Sequence, residues 1–111
     1  MAERTVFVIW TNPLFHEAVR LLLEHPDVLL VGASSNRVEA KSQIAALNPD
    51  VVIMEEAKAQ DTKETMSILL TGPMVIHLGL SDNELIVYRR QHRTVARAQD
   101  LVSMIVEDPN D

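Results

Sequence analysis

The adjacent carboxylates Glu55 and Glu56 follow directly on the apolar run Val51-Val52-Ile53-Met54, and they are the side chains best placed to do chemistry. Two carboxylates could share a cation. Neighbouring residues of a strand point to opposite faces, however, and no third ligand stands nearby in the sequence. The four histidines, His16, His25, His77 and His92, lack metal-ligand spacing, so no metal is expected. His77 lies inside the run Met74-Val75-Ile76-His77-Leu78 and reads as a hydrogen-bonded core residue rather than a base. No serine sits in a nucleophile-elbow context. The absence of cysteine removes disulfides, zinc ribbons, iron–sulfur clusters and thiol catalysis together. Gly32, Gly72 and Gly79 stand too far apart for a phosphate-cradling loop or a dinucleotide fingerprint. Neither enzymatic activity nor a cofactor is expected, and no residue is assigned as catalytic.

The second chemical feature is basic. Arg89, Arg90, Arg93 and Arg97 place four of the ten basic residues within nine positions of a chain whose net charge is −6. The remaining six basic residues face sixteen acidic ones, so the rest of the chain stands near −10. Such a cluster can protect a sheet edge from aggregation, dock an acidic partner, or meet an acidic patch on a second copy. Nucleic acid is not expected, because no aromatic residue other than Tyr88 interleaves with the arginines and the overall charge opposes it. No apolar run exceeds five residues, so no membrane span is expected. Met1-Ala2-Glu3-Arg4 leads straight into a strand-like run without the marks of a signal peptide, and a cytoplasmic location is expected.

These residues must be positioned by a chain of 111 residues, which reads as one domain over 1–111 with a frayed polar tail over 106–111. Val6-Phe7-Val8-Ile9-Trp10 is apolar throughout, as a strand buried on both faces of a parallel sheet would be. Asn12-Pro13 supplies a cap and a first-turn proline for a helix whose apolar residues are Leu14, Phe15, Ala18, Val19, Leu21 and Leu22, ending by Pro26. Val28-Leu29-Leu30-Val31 reads as a second strand closed by Gly32. Asn36 and Glu39 form a capping box for a helix to about Asn48, with a thin stripe of Val38, Ile44, Ala45 and Leu47. Residues 51–54 make a third strand, residues 61–70 a short helix, and residues 74–78 a fourth strand. The order βαβαβαβ predicts a mainly parallel sheet with helices on both faces. Then the alternation breaks. Residues 84–88 and 93–96 read as two strands in hairpin succession, with an antiparallel edge strand, before a final helix carrying Ala98, Leu101, Val102 and Ile105.

Three strand ends in this pattern resemble those of response-regulator receiver domains. The resemblance covers residues 5–82 best: Asn12-Pro13-Leu14-Phe15 opening the first helix, Leu47-Asn48-Pro49-Asp50 leading into Val51-Val52-Ile53-Met54, and Pro73 to Asp82. It implies an α/β fold of the flavodoxin-like type, a three-layer sandwich with strand order 2-1-3-4 and here a modified hairpin at the C-terminal edge. It also implies where phosphorylation residues should be found. The acidic pair that would hold magnesium is replaced by Trp10-Thr11, the phosphoacceptor position falls on Glu55, the hydroxyl position on Gly79 and the lysine position on Thr94. Nothing needed for phosphoryl chemistry survives, so the resemblance implies a degenerate pseudo-receiver.

Within that frame Glu55 either imitates a phosphoryl group by its charge or is a solvated carboxylate at a strand end. Trp10 is expected to plug the emptied acidic pocket. The expected function is a non-catalytic, phosphorylation-independent signalling module acting through protein–protein contact. The alternative is a small-ligand or nucleotide sensor at the carboxyl end of the sheet, in a pocket between Trp10, Asn12, Glu55 and Leu80. The expected contact surface is an apolar strip of Leu85, Val87 and Tyr88 rimmed by Arg89, Arg90, Arg93 and Arg97, meeting a protein partner or forming a homodimer.

Overall fold

The computed structural model describes residues 3–55, 72–79, 84–88 and 93–106. Among them the chain forms β1 (Arg4–Ile9), α1 (Pro13–Leu22), β2 (Val28–Ser34), α2 (Arg37–Leu47), β3 (Val51–Glu55), β4 (Met74–Gly79), β5 (Glu84–Tyr88) and β6 (Arg93–Arg97). A turn of 3₁₀-helix, Ala98–Asp100, leads into α3 (Leu101–Val106). The expected helix over 61–70, the turn at 81–83, Leu80, Arg89, Arg90 and the tail beyond Val106 lie outside the described residues. Val106 is not part of a tail: it closes α3 and packs half-buried against the core.

The strands form one six-stranded mixed sheet in the order β2-β1-β3-β4-β5-β6. The expected four-strand order with a hairpin edge is thus only part of a wider sheet. β1 pairs in parallel with β2 and β3, and β3 with β4, while the β4–β5 and β5–β6 pairs are antiparallel. One strand, β5, therefore runs against all the others. The edge strand β6 is antiparallel to its neighbour yet has the same direction as β1 to β4, so the inverted strand is the inner one of the pair.

Alternation along β1 divides the core. Val6 and Val8 face Phe15, Val19 and Leu23 around α1, together with Ile53, Ile76, Leu85, Val87 and, from α3, Leu101 and Ile105. Phe7 and Ile9 face the other way, onto Ala40 and Ile44 of α2 with Val52, Met54 and Val75. Helices consequently cover both faces of the sheet. In α1 the buried residues Phe15 and Val19 continue to Leu23 at the C-cap, whereas Leu14 and Leu21 remain 76% and 63% exposed. The apolar arc of this helix is wider than the groove it fills, and its spacing alone does not say which half is covered. In α2 the covered positions are Ala40 and Ile44, and Val38 is exposed. Asn36 caps α2 by accepting from the N–H groups of Val38 and Glu39, but its own N–H donates to Ser34 Oγ, so the reciprocal half of the expected capping box is supplied by Ser34 and not by Glu39. Asn48 ends it in the left-handed region at φ 50°, a conformation that asparagine tolerates better than most residues.

Gly32 does not close β2 but lies inside it. The β1–β2 register slips between Val6↔Leu30 and Phe7↔Gly32, which leaves Val31 as the extra residue of a bulge. A Cβ on Gly32 would stand 2.9 Å from Phe7 Cε2 and 3.2 Å from Leu47 Cδ1. The Phe7 ring is fully buried and cannot yield freely. Gly32→Ala is expected to destabilise the fold by about 1–2 kcal/mol through overpacking, measured by urea denaturation; an unchanged midpoint would show that the ring does not rest on this glycine.

The parallel pair β1 and β3 is fastened at its amino end by a clasp that residue patterning does not reveal. The Thr5 amide and hydroxyl donate to Asp50 Oδ2 at 2.9 and 3.2 Å, while the Asp50 amide donates to Thr5 Oγ1 and to the Thr5 carbonyl. Among the described residues no buried side-chain nitrogen or oxygen lacks a partner.

Candidate functional site

The carboxyl ends of β1 and β3 bring Glu55 to the turn between β1 and α1. Glu55 Oε1 accepts hydrogen bonds from the backbone N–H groups of Thr11 at 2.8 Å and Asn12 at 2.9 Å. This one oxygen completes the hydrogen bonding of the turn. The Trp10 N–H donates to the Ser34 carbonyl, Pro13 has no N–H, Leu14 donates to Asn12 Oδ1, and Phe15 and His16 donate to the Asn12 carbonyl. Every amide from Trp10 to His16 thus has an acceptor, as a helix start with orphan donors requires. A carboxylate at the amino end of α1 also sits favourably in the field of the helix, worth roughly 0.3–1 kcal/mol.

Chemically, this geometry makes Glu55 a half-buried acceptor held by two backbone donors. It also separates the roles of Glu55 and Trp10. Trp10 stands in series with Val6 and Val8 and packs half-buried against the α1 side of the core. Its indole stacks on the His16 ring, with centroids 5.2 Å apart and planes 4° from parallel. The side chain that reaches the β1–α1 turn is Glu55, and the indole fills a neighbouring site against α1. Sequence reasoning missed the Trp10–His16 stack, although a six-residue separation from strand end to first helical turn was the signal that could have found it.

Of the degenerate phosphorylation positions, Trp10, Thr11, Glu55 and Gly79 all lie at the carboxyl end of the sheet. Thr94 does not. It pairs with Val87, which pairs with Ile76, one turn of the pleat toward the amino end. The residues of β6 level with Glu55 and Gly79 are Ala96 and Arg97, so among the described residues Arg97 is the cation level with this end of β3 and β4. The cause is the inverted strand β5, which shifts β6 outward and brings it to the carboxyl end only at its last residues. Two polar atoms of the expected ligand pocket are engaged internally: Asn12 Oδ1 caps α1 and Glu55 Oε1 holds the turn. Leu80 lies outside the described residues. Among the described residues no cluster of three or more histidine or acidic side chains could hold a metal ion, and no helix is long and apolar enough to cross a membrane.

The expected contact strip is corrected by the parity of β5. Leu85 and Val87 are both 0% exposed, buried with Leu101 and Ile105 beneath α3. The opposite face of the same strands is the less buried one among the described residues. There Ile86 and Tyr88 are half-buried, Val95 is 57% exposed, and the His77 and Tyr88 rings meet edge to face at 4.9 Å. His77 is accordingly half-buried against an aromatic ring, not enclosed in the core. Arg97 is exposed at the outer end of this face.

Fold and site together define an α/β domain with a mixed sheet in which a glutamate at the end of β3 holds the β1–α1 turn. No model of a known protein family matches the chain, and no curated protein matches it in sequence.

Proposed function

We propose that the chain is a degenerate receiver-like domain, a three-layer sandwich that works in the cytoplasm as a non-catalytic, phosphorylation-independent regulatory module through contact with another protein. The observation that carries this reading is the Glu55 carboxylate on the Thr11 and Asn12 amides. Two backbone donors that an incoming anion would meet at the end of β1 already have an internal one. The end of β1, where the acidic pair of a receiver would stand, carries Trp10 and Thr11 instead. The parallel set β2-β1-β3-β4 and the helices on both faces support the receiver-like part of the reading. The less buried face around Ile86, Tyr88 and Val95 supports the contact part. The reading as a ligand sensor has less support, because Glu55 Oε1 and Asn12 Oδ1 are both spent on the α1 turn.

The test is incubation with magnesium and a small phosphodonor such as acetyl phosphate, followed by intact-mass measurement. The expected result is an unchanged mass. An added phosphoryl group mapped to residues 51–56 would overturn the proposal.

A further inference from the structure

The outer edge of β6 combines three features: backbone groups turned away from β5, an exposed apolar side chain at its centre, and arginines two residues away on either side. The Arg97 N–H donates to Asp100 Oδ2 at 3.3 Å and is therefore turned away from β5. Backbone groups alternate sides along a strand, so those of Val95 are also turned outward, while those of Thr94 and Ala96 serve the β5 ladder. Among the described residues β6 has no second neighbour in the sheet. Register rows running across the sheet end at this edge. The central row is His77, Ile86, Val95, and the rows beside it end Tyr88, Arg93 and Glu84, Arg97.

We propose that the β6 edge takes up an extended segment of a partner protein as a seventh strand, with an apolar residue opposite Val95 and acidic residues two positions to either side. The inference rests on the protein-contact reading above and names the partner's chemistry. Backbone pairing supplies the affinity of such strand addition, and alternate side chains supply the selectivity. An apolar residue continues the row His77–Ile86–Val95, and acidic residues continue rows that end in arginine. The charge pattern also argues against a second copy as the occupant. A two-fold axis through Val95 would set Arg93 directly opposite Arg97 of the copy, and like charges so placed destabilise a strand pair.

The probe is a short fluorescent peptide with Glu-Thr-Ile-Thr-Glu at its centre, compared with the same peptide carrying lysine for glutamate. Expected results are saturable binding of the acidic peptide, slowed hydrogen exchange at the Val95 amide, and about tenfold weaker binding to Arg97→Glu. Val95→Pro is expected to abolish binding and keep the fold, because the lost N–H faces outward and proline is tolerated on such an edge. Should that variant not fold, Val95 amide exchange in the unaltered protein and the Arg97→Glu comparison carry the test. Absence of acidic-peptide binding, equal binding of the lysine peptide, or binding by a folded Val95→Pro variant would each overturn the proposal. So would a peptide-free dimer broken by Val95→Pro, which would give the edge to a second copy. The phosphodonor experiment is independent of the edge, so a failed peptide titration with an unchanged mass discards the edge assignment alone.

Discussion

Leu85→Ala is expected to lower the unfolding free energy by about 2–5 kcal/mol, the range for removing a fully buried leucine and leaving a cavity. Leu85 is completely enclosed, in one cluster with Ile76, Leu78, Leu101 and Ile105, where α3 folds back over the sheet. The next residue supplies the control. Ile86 points to the other face and is half-buried, so Ile86→Ala should cost well under half as much. Urea denaturation of both variants checks the pair. Comparable losses, or a larger loss at Ile86, would mean that the faces of β5 are assigned the wrong way round. The contrast has a functional side too, because Ile86 lies in the row that ends at the exposed Val95, whereas Leu85 lies beneath α3.

The same pair shows where sequence stops being informative. Leu85, Ile86, Val87 and Tyr88 are all apolar, so a period of two has no phase there. What decides the parity is the return of α3, a tertiary event with no trace in five consecutive strand residues. α1 presents a similar ambiguity: Leu14, Phe15, Ala18, Val19, Leu21 and Leu22 span more than the arc one groove can cover. Where local chemistry is sharp, sequence suffices. Asn12-Pro13 and Asn36 cap α1 and α2 as their side chains require, and residues 84–88 and 93–97 take the place of a crossover helix because the first run is β-branched and short. Gly32 falls between these cases. It marks an interruption correctly, yet the interruption is a bulge under the Phe7 ring rather than the end of a strand. At the candidate site, the position of Glu55 at a strand end was legible. Its partners were not, because they are backbone amides and carry no side-chain signature.

Those partners make the effect of removing Glu55 specific. Glu55→Ala is expected to destabilise the fold by about 2–3 kcal/mol, since hydrogen bonds to a charged group contribute roughly 1.5–3 kcal/mol each and solvent at this half-buried position recovers part of the loss. Two further substitutions separate charge from reach. Glu55→Gln retains a carbonyl oxygen able to accept from Thr11 and Asn12, so only the charge-assisted share should go, about 1 kcal/mol. Glu55→Asp retains the charge but is one methylene shorter, so it can meet both amides only if β3 and the β1–α1 turn approach one another. That approach is resisted by the Ile9↔Met54 pairing just below it. The expected order of stability is therefore Glu, then Gln, then Asp and Ala together. Amide exchange at Thr11 and Asn12 should accelerate in the same order, because these are the donors released. If Asp matches Glu in both measurements, charge alone holds the turn and reach is irrelevant; if Ala matches Glu, the carboxylate does not fasten β3 to α1 at all.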